Sequence, residues 1–94
     1  MVTVEGVRVD LTRTEHDLLA SLLTTGRRVR SKADLVLTMR GQQNVTSYFV
    51  AEDDKRSLET HVANLLHKLG DQGPVPRFVE TIRGVGYRAA EPVS

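Results

Sequence analysis

The chain has 94 residues, a formal net charge of +1 and 39% apolar residues, which fits one small domain with one modest core. It has no cysteine, so a disulfide framework and thiolate metal sites are excluded. No apolar run has the length of a membrane span, and the start, Met1 to Glu5, lacks the regions of a signal peptide, so a cytoplasmic protein is expected.

Val2, Val4, Val7, Val9 and Leu11 alternate around Glu5-Gly6, a possible two-residue turn. Pairing Val4 with Val7 and Val2 with Val9 places four valines on one face. A lone hairpin is marginal in water, so that face is expected to lie on something. Thr12 to Thr25 reads as a first helix. Thr12 and Glu15 form a capping box, Leu18, Leu19, Leu22 and Leu23 form the buried stripe, and Gly26 stops it. A second helix is predicted from Lys32 to Arg40, with Ser31 as N-cap, Leu35, Val36 and Met39 inward, and Gly41 as its end.

Gln42 to Asp54 reads as a long polar connection interrupted by Val45, Tyr48, Phe49 and Val50. A third helix follows from about Lys55, capped by Asp53 or Asp54 and closed by Gly70. Leu58, Val62, Leu65 and Leu69 make its buried stripe. The opposite face carries Arg56, Ser57, Thr60, Ala63, Asn64 and His67, side chains suited to meeting another surface. Asp71 to Pro76 is a Gly/Pro loop. Phe78 to Ile82 and Tyr87 to Ala89 read as strands around a glycine-rich turn, Arg83 to Gly86. From Lys55 to Arg88 there are six basic and three acidic residues, and a second basic cluster, Arg27, Arg28, Arg30 and Lys32, opens the second helix.

The order is hairpin, three helices, hairpin. The expected class is α+β: a winged helix-turn-helix with an N-terminal β-hairpin, a three-helix core and a C-terminal β-hairpin wing. A pI near 8.2 does not by itself announce a nucleic-acid binder; the placement of charge carries that expectation.

Several residues suit double-stranded DNA. Asn64 can bond adenine bidentately in the major groove, and Arg56 can meet guanine or phosphate. Each also has a plain surface alternative: a solvated Asn, and an Arg paired with Glu52 or Asp53. Ser57 and Thr60 suit phosphates, base edges or a thymine methyl. Arg83 is projected by a turn that Gly84 and Gly86 permit, toward the negative potential of a narrow minor groove. Ser31 and Lys32 open a helix whose free N–H groups suit a phosphate, or simply cap it. His16, His61 and His67 lack metal-ligand spacing. No metal site, cofactor or nucleophile–base pair emerges, and no enzyme is expected.

The chain resembles the C-terminal effector domain of OmpR/PhoB-type response regulators, bacterial transcription factors. The resemblance rests on Leu11-Thr12-Arg13-Thr14-Glu15 with Leu18-Leu19, on Arg30-Ser31-Lys32 with Leu35, on Arg56-Ser57-Leu58-Glu59-Thr60-His61-Val62 with Leu65 and Leu69, and on Thr81-Ile82-Arg83-Gly84-Val85-Gly86-Tyr87-Arg88. It implies a third helix in the major groove with Arg56, Ser57, Thr60 and His61 at its contacting end. It also implies wing contacts from Thr81, Arg83 and Tyr87, and dimers on tandem half-sites. Residues 1–94 would then be one domain from the C-terminal part of a larger two-component regulator, with an N-terminal regulatory domain as partner. The chain departs from the family at Ala63, Asn64 and Leu66, where arginines are common, at His16, where an aromatic is usual, and at Arg40 in place of a tryptophan. Those departures leave a rival reading: a degenerate winged helix that docks on protein within a multidomain enzyme or regulator.

Overall fold

The computed structural model describes residues 2–4, 6–40 and 50–91. The elements in order are β1 (Val2–Val4), β2 (Val7–Val9), α1 (Arg13–Thr25), β3 (Arg30–Ser31), α2 (Lys32–Arg40), α3 (Glu52–Leu69), β4 (Val79–Ile82) and β5 (Gly86–Ala89). β1 and β2 form an antiparallel pair in the expected register, Val2 opposite Val9 and Val4 opposite Val7. The second sheet is antiparallel with order β3-β5-β4.

The helices begin and end where local chemistry dictates. Thr12 Oγ1 accepts from the Glu15 N–H at 3.1 Å, and Glu15 Oε1 accepts from the Thr12 N–H at 2.8 Å, a reciprocal cap that starts α1. Ser31 Oγ accepts from the Asp34 N–H at 3.1 Å and starts α2. α3 departs from expectation at its start. Its N-cap is Ala51, which has no side-chain acceptor, and Glu52 to Asp54 are already helical. Asp54 instead reaches back one turn and accepts from the Ala51 N–H at 2.9 Å. Its carboxylate also takes the Arg40 guanidinium at 2.7 Å, so the capping group doubles as a tie to α2. Gly70 closes α3 in the left-handed conformation.

The core is a single cluster: Leu18, Leu19 and Leu22 of α1, Leu35 and Val36 of α2, the α3 stripe Leu58, Val62, Leu65 and Leu69, and Val79 with Tyr87 of the second sheet. Met39, Val50 and Leu66 pack half-buried against it. Two expectations fail. Leu23 is 55% exposed, because a stripe anchored on residues 18, 19 and 22 turns position 23 toward solvent. Val7 is also exposed, so its end of the first hairpin is not laid on the core. The stretch 41–49, including Gly41 as a helix end and Val45, Tyr48 and Phe49 of the connection, lies outside the described residues.

β3 was not anticipated. Two residues are too short to read as a strand from periodicity, yet they fix the wing. Arg30 pairs with Tyr87 and Ser31 with Gly86. A Cβ on Gly86 would lie 1.9 Å from the Arg30 carbonyl oxygen, so only glycine lets these backbones meet. The loop after α3 is held by Asp71, a buried carboxylate. It accepts from the N–H groups of Arg77 (2.8 Å), Phe78 (2.9 Å) and Val79 (3.0 Å). Three inward N–H bonds set the direction in which β4 leaves the loop.

Candidate nucleic-acid interface

α3 is buried on one side and open on the other. Its stripe at 58, 62, 65 and 69 is at most 3% exposed. Arg56, Ser57, Thr60, Ala63, Asn64 and His67 are all exposed, and His61 is half-buried at the edge. One face therefore anchors the helix while the other presents polar groups at helical spacing.

The ion pairs decide which cations remain available. Arg56 lies 3.5 Å from Asp53, with both side chains largely in solvent. Such a pair contributes little and leaves the guanidinium free to exchange partners. Thr60 Oγ1 donates to the Arg56 carbonyl at 3.2 Å, so its hydroxyl oxygen faces the surface as an acceptor. Arg83 is exposed at the wing turn, where Gly84 adopts φ +75°, and no ion pair holds it among the described residues. Thr81 is exposed on the same hairpin.

The basic cluster before α2 is used differently from its sequence reading. Arg30 is an internal strut: its guanidinium donates to Ser21 (2.6 Å), Thr25 (3.0 Å) and Thr38 (2.8 Å) and to the Asp34 carboxylate. Arg27 donates to the Ala89 carbonyl at 2.9 Å and pairs with Glu80. Arg28 is exposed. The phosphate candidates already have partners. Ser31 caps its own helix, and Lys32 Nζ lies 2.6 Å from Glu59 Oε1. That bond to Glu59 raises the Lys32 pKa. The Lys32 N–H also points to the Val85 carbonyl at 3.4 Å, tying the start of α2 to the wing turn.

Tyr87 is corrected. It was expected at the groove, but it is 5% exposed and belongs to the core. β5 is the central strand of its sheet, so a large ring on its inner side is covered by the helices. Burial pushes its phenol pKa up, with Lys32 opposing and Glu59 adding to the shift. The Lys32–Glu59 pair thus acts on the phenol, and the ring joins the core cluster beside Val79. Leu66, an odd apolar residue in the sequence, is also settled: it packs half-buried against the core.

Among the described residues no group of three or more His, Asp or Glu gathers as a metal site. None of the described helices is long and apolar enough to cross a membrane.

Three helices around one core, with the third open on its outer face and flanked by a β-hairpin, define a winged helix-turn-helix domain. Residues 6–89 match the family model "Transcriptional regulatory protein, C terminal", and the chain belongs to that family. It is 33% identical to the DNA-binding response regulator MtrA of Mycolicibacterium smegmatis over 91 residues, 97% of this chain and 37% of MtrA. It is 36% identical to the response regulator MprA of Mycobacterium ulcerans over 86 residues, 92% of this chain and 34% of MprA. The chain thus spans little more than a third of these relatives. Among solved structures, the Klebsiella pneumoniae RstA DNA-binding domain in complex with the RstA box superposes with a TM-score of 0.73. That match has 25% identity and covers 93% of this chain and 80% of RstA's. The family is one of transcriptional regulators, not of enzymes.

Proposed function

We propose that the chain is the DNA-binding effector domain of a bacterial two-component response regulator. It binds double-stranded DNA sequence-specifically, with α3 in the major groove and the β4–β5 wing at the adjacent minor groove, and so regulates transcription. The observation that carries this is the division of α3 into a fully buried stripe and an exposed polar face beside a free Arg83.

Arg56 meets phosphate or guanine, Ser57 and Thr60 meet phosphate or base edges, and Asn64 reads adenine. His61 borders the contact. Thr81 meets the backbone, and Arg83 enters the minor groove. Ser31 contributes through the cap it gives α2, and Lys32 is a phosphate contact held in reserve by Glu59.

A single domain with so modest a charge binds weakly. Two copies on tandem half-sites raise the effective affinity, so a dimer on DNA is part of the proposal. So is a larger cytoplasmic protein in which residues 1–94 form one domain and an N-terminal regulatory domain receives the signal. The likeness to MtrA and to DNA-bound RstA supports this. The rival reading, docking on protein, keeps the exposed Ala63 but loses one support, because Leu66 packs half-buried against the core.

Selection of bound duplexes from a randomised library tests the proposal. Enrichment of a repeated half-site, bound more tightly than competitor DNA, is the expected outcome. Failure to enrich any sequence would contradict it.

A further inference from the structure

His67 stands in the last turn of α3, exposed and in line with Arg56, Thr60 and Ala63 at three- and four-residue steps. Its Nδ1 lies 3.2 Å from Oε1 of Gln72, the residue just past Gly70 and Asp71. An amide oxygen only accepts, so Nδ1 carries the hydrogen and donates it. Nε2, across the ring, is then the atom left for an external partner: an acceptor in the neutral ring and a donor in the protonated one.

The surroundings make a cation useful here. The C-terminal end of a helix carries partial negative charge, which disfavours a nearby phosphate and favours an imidazolium. Positions 63 and 66 hold Ala and Leu, so neither supplies a cation to this end of the helix. Lys68 is turned to the other flank, with its Nζ 2.6 Å from Glu15 Oε1. Other charged groups on α3 and on the elements packed against it have partners of their own. Asp71 faces the N–H groups of residues 77 to 79, Arg77 lies over the Phe78 ring, Glu80 is bonded to Arg88, and Asp54 to Arg40. Glu59 faces Lys32, and on α1 His16 lies 3.8 Å from Asp17.

We propose that His67 is a further DNA contact, made to a backbone phosphate by Nε2–H of the protonated ring while Gln72 holds the ring in position. This rests on the reading of α3 as the groove-facing helix. Binding then takes up a proton, so affinity rises as pH falls. His67 replaces in a pH-dependent form the fixed charge that Ala63 and Leu66 do not provide.

The test is the affinity of a labelled duplex spanning two half-sites, at constant ionic strength and at about pH 6 and about pH 8. Wild type, His67→Gln, His67→Lys and Gln72→Ala are compared. Wild-type affinity should rise severalfold toward the lower pH. His67→Gln should flatten that rise, Gln72→Ala should reduce it, and His67→Lys should bind more tightly than wild type at the higher pH. An undiminished rise in His67→Gln, or no gain in His67→Lys, would overturn the assignment while leaving DNA binding intact. A wild type that binds no duplex at either pH would overturn both. Imidazole 15N shifts of the free protein provide a second readout: Nδ1–H is expected in the neutral ring, and Nε2–H would contradict the role given to Gln72.

Discussion

Lys32 Nζ, at the first residue of α2, lies 2.6 Å from Glu59 Oε1 on the flank of α3 that faces the wing. The pair joins the two helices of the helix-turn-helix where a phosphate would approach the N-terminus of α2. On the proposed DNA-binding reading, Glu59 shields this cation from a phosphate. Replacing Glu59 with Gln removes the competing carboxylate and leaves the lysine. Non-specific duplex affinity should increase, and the slope of log K against log salt should steepen by about one phosphate contact. Anisotropy titrations across a salt series measure both.

Asn64 is exposed on the outer face of α3, and the proposed function gives it the role of reading a base. Asn64→Ala should relax preference at one position of the half-site by about 1–3 kcal/mol and change binding to random DNA little. Competition with single-base variants of a selected site measures this.

Glu15 is a buried carboxylate, 2% exposed. Burial raises its pKa, but the hydrogen bond from Lys68 and the Thr12 N–H outweigh that, and the net shift is downward from 4.5. A carboxylate lowered in the folded state contributes stability that is fully present above its unfolded pKa and is lost as pH falls through the folded value. Wild type should therefore lose stability on acidification below about pH 4.5, and Glu15→Gln should lose less over the same range. Urea unfolding at neutral and acid pH distinguishes them.

Gly86, the first residue of β5, and Asp71, in the loop after α3, hold the wing in place. Gly86→Ala forces a methyl into the Arg30 carbonyl and should cost about 3 kcal/mol or more as β3 and β5 separate. Asp71→Ala strands the N–H groups of residues 77 to 79 and should cost about 1–3 kcal/mol. Thermal melts measure both losses. In Asp71→Ala, amide exchange should also accelerate in β4 before it does in α1.

The helices were legible because their periodicity is strong and their ends carry chemical marks. Thr12 and Glu15 cap α1 as read, and all four residues of the α3 stripe are buried. Local signals failed where distant partners decide. Asp71 looks like an ordinary loop residue, since its partners are backbone groups six to eight residues on. Arg30 looks like part of a DNA-binding cluster, yet Ser21, Thr25 and Thr38 surround it. Tyr87 was placed at the wing contact by the resemblance alone, and nothing local to it signals that its ring joins the core. The outer face of α3 was legible for the opposite reason: among the described residues its polar positions stay exposed.

The most direct test is the salt dependence of duplex binding by wild type and Arg83→Ala. If Arg83 meets the DNA, the slope is steep and negative for wild type and shallower by about one for the variant, with weaker binding to all sequences. Binding that ignores salt, or the same slope for both proteins, would contradict it.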